Sequence, residues 1–319
     1  MRGRGAPRSG RVLHHRRMTD MDLGEFTRRS ALRGGATDGE LRSPRLASPF
    51  HGVRTRVVPV THLERATAYR PRLRPGQFFS HLTAAEAWTV PLPFRRLEDD
   101  PIHVAAFSPR RPPRTRGVVG HVLLPQNVDV VRRFGLPVAD AASTWVSLAM
   151  LLPDRDLLAA ADHLLLVPRY PDRSDPRPYT GLSELQDRVD GYHGRGRRRL
   201  DALLRLVSTA AASRKETELR SLAHEAGLPV PEVNAEIRVG GRLIAIGDLV
   251  FRQWKVLAEY DGRQHQTSDA QYARDRERSL ALQLAGWIQV VVRADGLGRD
   301  SARTVAEIRA ALMAHGWRP

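Results

Sequence analysis

The chain contains no cysteine. That absence excludes disulfides, thiolate catalysis and cysteine-bound zinc together, so any metal must sit on oxygen or imidazole. Long apolar runs are lacking as well. The longest stretch, Leu157 to Val167, is interrupted by Asp162 and His163 and is too short to cross a bilayer. The basic N-terminus has no apolar core of the kind a signal peptide carries, which predicts a soluble, cytoplasmic protein without a membrane partner. There is no phosphate-binding loop ending in Gly-Lys-Ser/Thr, no dinucleotide fingerprint and no His-Glu-x-x-His helix, which removes ATP-driven and zinc-protease readings. Negative charge is also scarce, with 51 Lys+Arg against 35 Asp+Glu and a net charge of +16. Nearly all of the basic excess is arginine, and it points to a polyanionic partner, with nucleic acid ahead of a membrane surface. A GC-rich coding sequence enriches arginine too, so charge alone does not identify an activity.

What is present centres on Gly247 to His265. Apolar arms flank a polar Arg252-Gln253, the pattern of a β-hairpin. If Arg252-Gln253 is a two-residue loop, Phe251 pairs with Trp254, Val250 with Lys255 and Asp248 with Leu257. Strand alternation then puts Asp248, Val250, Lys255, Leu257, Glu259 and Asp261 on one face. Asp248 and Glu259 become diagonal neighbours, with β-carbons roughly 7 Å apart, close enough to hold one divalent cation between them. The opposite face, Trp254, Val256, Ala258 and Tyr260, reads as the core side. Val250 and Leu257 predict that the acid-bearing face is covered too, and covered carboxylates are costly unless paired or bound to metal.

At 319 residues and 41% hydrophobic content the chain is long enough for two or three domains. Residues 1 to 20 hold Arg2, Arg4, Arg8, Arg11, Arg16 and Arg17 among Gly, Ser and Pro and predict a disordered basic tail. Met18 and Met21 follow as alternative start positions. Residues 21–95 read as two short helices, one carrying Phe26, Ala31 and Leu32 and one running through Leu41, then a basic ribbon from Arg45 to Val58. That is the layout of a winged helix-turn-helix. Residues 96–190 predict an α+β connecting domain. In it, strands at Ile102–Val104 and Val118–Leu124 bracket a loop holding Arg110, Arg111, Arg114 and Arg116 among three prolines; such arginines suit phosphate, though a solvated loop is the default. His103, His121 and His163 are scattered and read as structural. Residues 191–212 predict a basic linker and a helix from Leu200 to about Ala211. From 213 to 319 the order is a helix over Lys215–Ala226, three strands, a helix closing before Gly286, a buried central strand over Trp287–Val292, and a helix over Ser301–His315. The whole predicts a multidomain α/β protein.

Asp248-x(10)-Glu259-Tyr260-Asp261-Gly262-Arg263-Gln264-His265, preceded by an acidic helix and followed by Arg274-Asp275-x-x-Arg278 and Gly286-Trp287, resembles the very-short-patch-repair-like (Vsr-like) branch of the PD-(D/E)XK nuclease superfamily. The resemblance covers about the last third of the chain. It implies a restriction-endonuclease-like core and a DNA endonuclease using Mg²⁺, with Mn²⁺ as a substitute. Asp248 and Glu259 are then metal ligands, Glu216 the helix acid with Glu218 as substitute, and Asp261 and His265 further catalytic residues. Where the wider superfamily has Glu-x-Lys, this chain has Glu259-Tyr260-Asp261, so His265 stands in as base and Lys255 is the other candidate. Arg274, Arg278, Arg293 and Lys255 are expected to contact DNA. Phe79 to Trp88 with Pro91-Leu92-Pro93 resembles the abortive-infection type IV antitoxin (AbiEi-like) N-terminal module. That resemblance implies DNA binding and is compatible with a protein partner; a homodimer is also compatible with the pattern. The alternative to a nuclease is a catalytically silent DNA-binding transcriptional regulator that keeps the fold as a scaffold.

Overall fold

A computed structural model describes residues 24–93, 100–262 and 269–319, without the side chains of 269–273. The expected basic tail and His265 lie outside the described residues. The protein is a multidomain α/β protein built on mixed sheets and helices. Among the described residues no helix is long and apolar enough to cross a membrane.

β1 (Phe26–Thr27) leads into α1 (Arg28–Arg33), where the Thr27 hydroxyl accepts from Ser30 N at 3.0 Å and starts the helix. The helix expected through Leu41 is a single 3₁₀ turn, Glu40–Arg42, and the expected ribbon is reduced to β2 (Val53–Arg54), paired antiparallel with β1, and one bridge between Ala47 and Thr55. α2 (His62–Tyr69) opens on a Thr61–Glu64 capping box and is followed by β3 (Gln77–Phe79) and α3 (His81–Ala87).

β3, from the expected 21–95 module, pairs with strands of the expected 96–190 domain. It lies at the centre of a five-stranded sheet between β4 (Ile102–Phe107) and a later strand. The sheet order is β5 (Val118–Leu123), β4, β3, β7 (Leu136–Ala139), β6 (Val130–Arg133). Residues from both expected modules therefore share one sheet and one core of Phe78, Phe79, Ile102, Val104 and Val138. β4 and β5 run parallel although only ten residues separate them. The proline- and arginine-rich loop manages this by running back extended, since ten residues reach roughly 33 Å and the strand it retraces is about half that.

α4 (Ala141–Ser147), α5 (Asp154–Leu165), α6 (Leu182–Asp190) and α7 (Arg197–Leu204) build a second core around the fully buried Trp145, whose indole N–H donates to Leu157 O at 2.8 Å. α7 begins and ends several residues before the expected helix at 200–211. α8 (Arg214–Glu225), capped by Ser213, then packs on α5. Asp162 on α5 is buried and accepts from Ser208 N (2.7 Å), Thr217 Oγ1 (2.8 Å) and Arg220 Nη2 (2.6 Å). The domain boundary expected near 213 is thus crossed by a buried ionic network.

The last sheet has the order β11 (Ile288–Val292), β10 (Val256–Tyr260), β9 (Arg242–Phe251), β8 (Glu232–Val239), with β10 and β11 parallel and the rest antiparallel. α9 (Asp269–Leu284) precedes β11; α10 (Ala294–Leu297) and α11 (Ser301–Ala314) follow it. β11 sits at the edge of this sheet, not at its centre, and its Val291 is half exposed. Its apolar run reflects burial of alternate residues Val290 and Val292 against α8 and α11.

Candidate metal centre and basic groove

The β9–β10 hairpin closes two residues later than its polar dipeptide suggests. Val256 pairs with Phe251, Leu257 with Val250 and Ala258 with Leu249. The link is a four-residue loop: a 3₁₀ turn over Arg252–Trp254 followed by Lys255 at φ 48°. Lysine rarely adopts this left-handed conformation, so no glycine or asparagine marks the loop in the sequence. A shift of two leaves every side chain that remains in the paired strands on its expected face. Leu249, Phe251, Val256 and Ala258 are fully buried toward α8 and α11, while Val250 and Leu257 pack with Leu282 and Trp287 on the α9 side. Continuing the register one step sets Asp248 directly opposite Glu259 rather than diagonal to it. Both line a cavity of about 640 Å³ with Asp261, Asp275, Arg278 and Gln289.

Asp248 Oδ2 accepts from Tyr260 N at 2.7 Å, a bond that holds the carboxylate across the hairpin. Burial pushes its pKa up from 3.8 to about 6. The Tyr260 N–H and Arg278 work against that rise, and the neighbouring Glu216 and Glu259 add to it. Glu216 arrives from the first turn of α8. Its Oε2 accepts from Ala212 N at 2.8 Å and from Asn234 Nδ2 at 2.6 Å, which fixes it toward the sheet. Glu259 accepts from Gln289 Nε2 at 2.6 Å and is ion-paired with Arg278, which also donates to Ile246 O at 3.0 Å. Asp248 and Glu259 thus face one open cavity with the Arg278 guanidinium between its walls, and Glu216 adds negative charge beside Asp248.

Other expected site residues are placed differently. Glu218 pairs with Arg214 at 3.2 Å and Lys215 at 2.7 Å on the α5 side, so Glu216 is the helix acid that reaches Asp248. Lys255 is not on the acid-bearing face. It sits in the hairpin turn, its ammonium donates to Ala285 O at 3.2 Å, and four residues of strand, roughly 13 Å, separate it from Glu259. Asp261 lines the cavity and its amide bonds Val292 O at 2.8 Å. Arg274 is exposed on α9 and Arg293 is exposed at the start of α10.

Two further clusters emerge. Arg28, Arg29, Arg33, Arg54, Arg72, Arg74, Arg111 and Arg114 line a groove of about 1010 Å³, and none of the described residues lining it is acidic. It joins α1, the β2 segment and the proline-stiffened loop, which Arg110 ties down by donating to Pro75 O at 2.6 Å. The loop's arginines are legible in the sequence, but their meeting with α1 is not. Second, His103 and His121 are not scattered. His103 Nδ1 and His121 Nε2 lie 2.9 Å apart, and the His81 ring stacks on His121 at 3.6 Å between centroids. Burial, with mutual repulsion among the rings, lowers His81 to about 2 and His103 to about 4, and burial lowers His121. His163 behaves as expected of a structural histidine, with Nε2 3.0 Å from Trp88 O.

A comparison with protein-family models finds no match. Two uncharacterized proteins of Mycobacterium tuberculosis, one from strain CDC 1551 / Oshkosh and one from strain ATCC 25618 / H37Rv, are each 32% identical over 129 residues. The aligned region is 40% of this chain and 47% of each relative, so the match spans about half the length of the curated relatives.

Proposed function

We propose that the protein is a Mg²⁺-dependent DNA endonuclease whose C-terminal unit resembles the very-short-patch-repair nucleases, joined to an antitoxin-like DNA-binding region. The observation that carries this reading is the meeting of Asp248, Glu259 and Asp261 in one open cavity, with Asp248 held at a pKa of about 6 by burial and by the negative charge of Glu216 and Glu259. Such a donor set suits a hard divalent cation, which takes oxygen ligands and offsets the carboxylate repulsion. Asp248 and Glu259 would hold it. A bound Mg²⁺ there would supply charge relief for phosphoryl oxygens and a more acidic water. Glu216 adds negative charge next to Asp248, Arg278 and Arg274 on α9 offer phosphate contacts, and His265, outside the described residues, remains the base that the resemblance implies. The element order helix, three strands, helix, strand, helix supports the restriction-endonuclease-like reading. The eight-arginine groove supports a polyanionic partner, because its guanidinia gain most by displacing counterions from phosphates.

One observation favours the second reading, a catalytically silent DNA-binding regulator. The Glu259 carboxylate already accepts from both Arg278 and Gln289. Single-turnover cleavage of supercoiled DNA by the wild type, Asp248→Asn and Glu259→Gln separates the two. The nuclease reading expects metal-dependent cutting that each substitution abolishes while DNA affinity persists; DNA binding with no cutting by the wild type in Mg²⁺ or Mn²⁺ selects the regulator.

A further inference from the structure

We propose that His81, His103 and His121 form a binding site for a first-row transition metal of the zinc class, separate from the carboxylate cavity. The fold brings the three together by rigid elements. In the parallel β4–β5 pair His103 stands beside Val119, and His121 is two residues further along the same face. β3 pairs with β4, and Ser80 N donates to His103 O at 3.1 Å, so the first residue of α3 is laid over that face. His81 holds φ at 50°, a left-handed backbone conformation that side-chain-bearing residues seldom adopt and that its surroundings must impose.

One ligating nitrogen from each ring lies within 4.8 Å of the others. Metal–nitrogen bonds of 2.0–2.1 Å in a tetrahedral site set the nitrogens about 3.3 Å apart, so ligation takes rotation of the stacked His81 and His121 rings together with an approach of up to about 1.5 Å. Neutral imidazole is the form that binds metal, and burial keeps these rings neutral. Ser80 Oγ is 2.9 Å from His81 Nδ1, the type of outer partner that fixes a ligating ring and leaves Nε2 to bind. An all-imidazole set favours zinc, copper, nickel or cobalt over Mg²⁺. Three protein ligands leave a fourth position for water or an anion. A metal there would tie the start of α3 to two strands of the five-stranded sheet.

The test uses the full chain, tag-free and stripped with EDTA, titrated calorimetrically with Zn²⁺ alone. The expected result is one Zn²⁺ retained by wild type and by Asp248→Asn, with affinity reduced more than ~100-fold in His81→Ala and in the partly buried His121→Ala. Loaded wild type should also melt at higher temperature than stripped protein. X-ray absorption at the zinc edge of loaded wild type reads the ligands without any variant, and should show an imidazole shell. No Zn²⁺ uptake by folded wild type, an oxygen-only shell, or unchanged affinity in both histidine variants would overturn the proposal.

Discussion

Replacing Asp248 by Asn should stabilise the protein while removing a proposed metal ligand. The carboxyl ionises near pH 6 in the folded chain against an ordinary 3.8, so the native state holds its proton more tightly than the unfolded state. The sign is the reverse of a salt-bridged acid. The stability that protonation contributes is complete below about pH 3.8 and is lost as pH rises through about 6. At 1.36 kcal/mol per pH unit, the rise from 3.8 to about 6 means that wild type gives up ~3 kcal/mol at pH 7.5. Asparagine keeps the volume, and its carbonyl oxygen can still accept from Tyr260 N, so the variant escapes most of that loss. Urea unfolding at several pH values reads the effect: Asp248→Asn should exceed wild type by up to ~3 kcal/mol at pH 7.5, and the difference should vanish near pH 4. Saturating Mg²⁺ should raise wild-type stability and leave the variant unmoved. A variant less stable than wild type at pH 7.5, or a gap that does not change with pH, would refute the electrostatic reasoning.

Three other outcomes follow from the same geometry. Arg278→Ala frees Glu259 from its guanidinium partner, so calorimetry without DNA should show tighter Mg²⁺ binding, while gel-shift affinity for DNA falls. Combined Arg29→Ala, Arg33→Ala and Arg111→Ala in the basic groove should flatten the log–log salt dependence of DNA binding by about 0.9 for each phosphate that is no longer neutralised; an unchanged slope removes the groove from the DNA path. Asp162→Ala strands Arg220 between α5 and α8 and should cost ~3–5 kcal/mol in chemical denaturation, with Asp162→Asn milder.

Much of the C-terminal unit is legible because its signals are local. Alternation places Asp248 and Glu259 on one face, and the helices expected over Lys215–Ala226 and Ser301–His315 form as α8 and α11; each needs only neighbouring residues. The hairpin register escaped because Lys255 takes a left-handed conformation that nothing in its side chain advertises, yet the two-residue error preserved the face. The sheet that joins Gln77–Phe79 to β4 and β7 escaped because strand pairing across distant segments leaves no local mark. The same holds for the histidine cluster, whose members stand at 81, 103 and 121 and meet only once β4 and β5 run parallel. The Asp162 network is hidden likewise, since an aspartate inside an apolar helix shows neither its partner Arg220 nor the burial of the pair.

If Asp248 and Glu259 hold a divalent cation that cuts DNA, the purified full chain incubated with supercoiled plasmid in Mg²⁺, beside a parallel EDTA arm, will reveal it. Nicked or linear product is expected in Mg²⁺ and none in EDTA, with Glu259→Gln inactive in both. Plasmid left supercoiled in Mg²⁺ and in Mn²⁺ by protein that binds it, or cutting that persists in EDTA or in Glu259→Gln, would contradict this reading of the site.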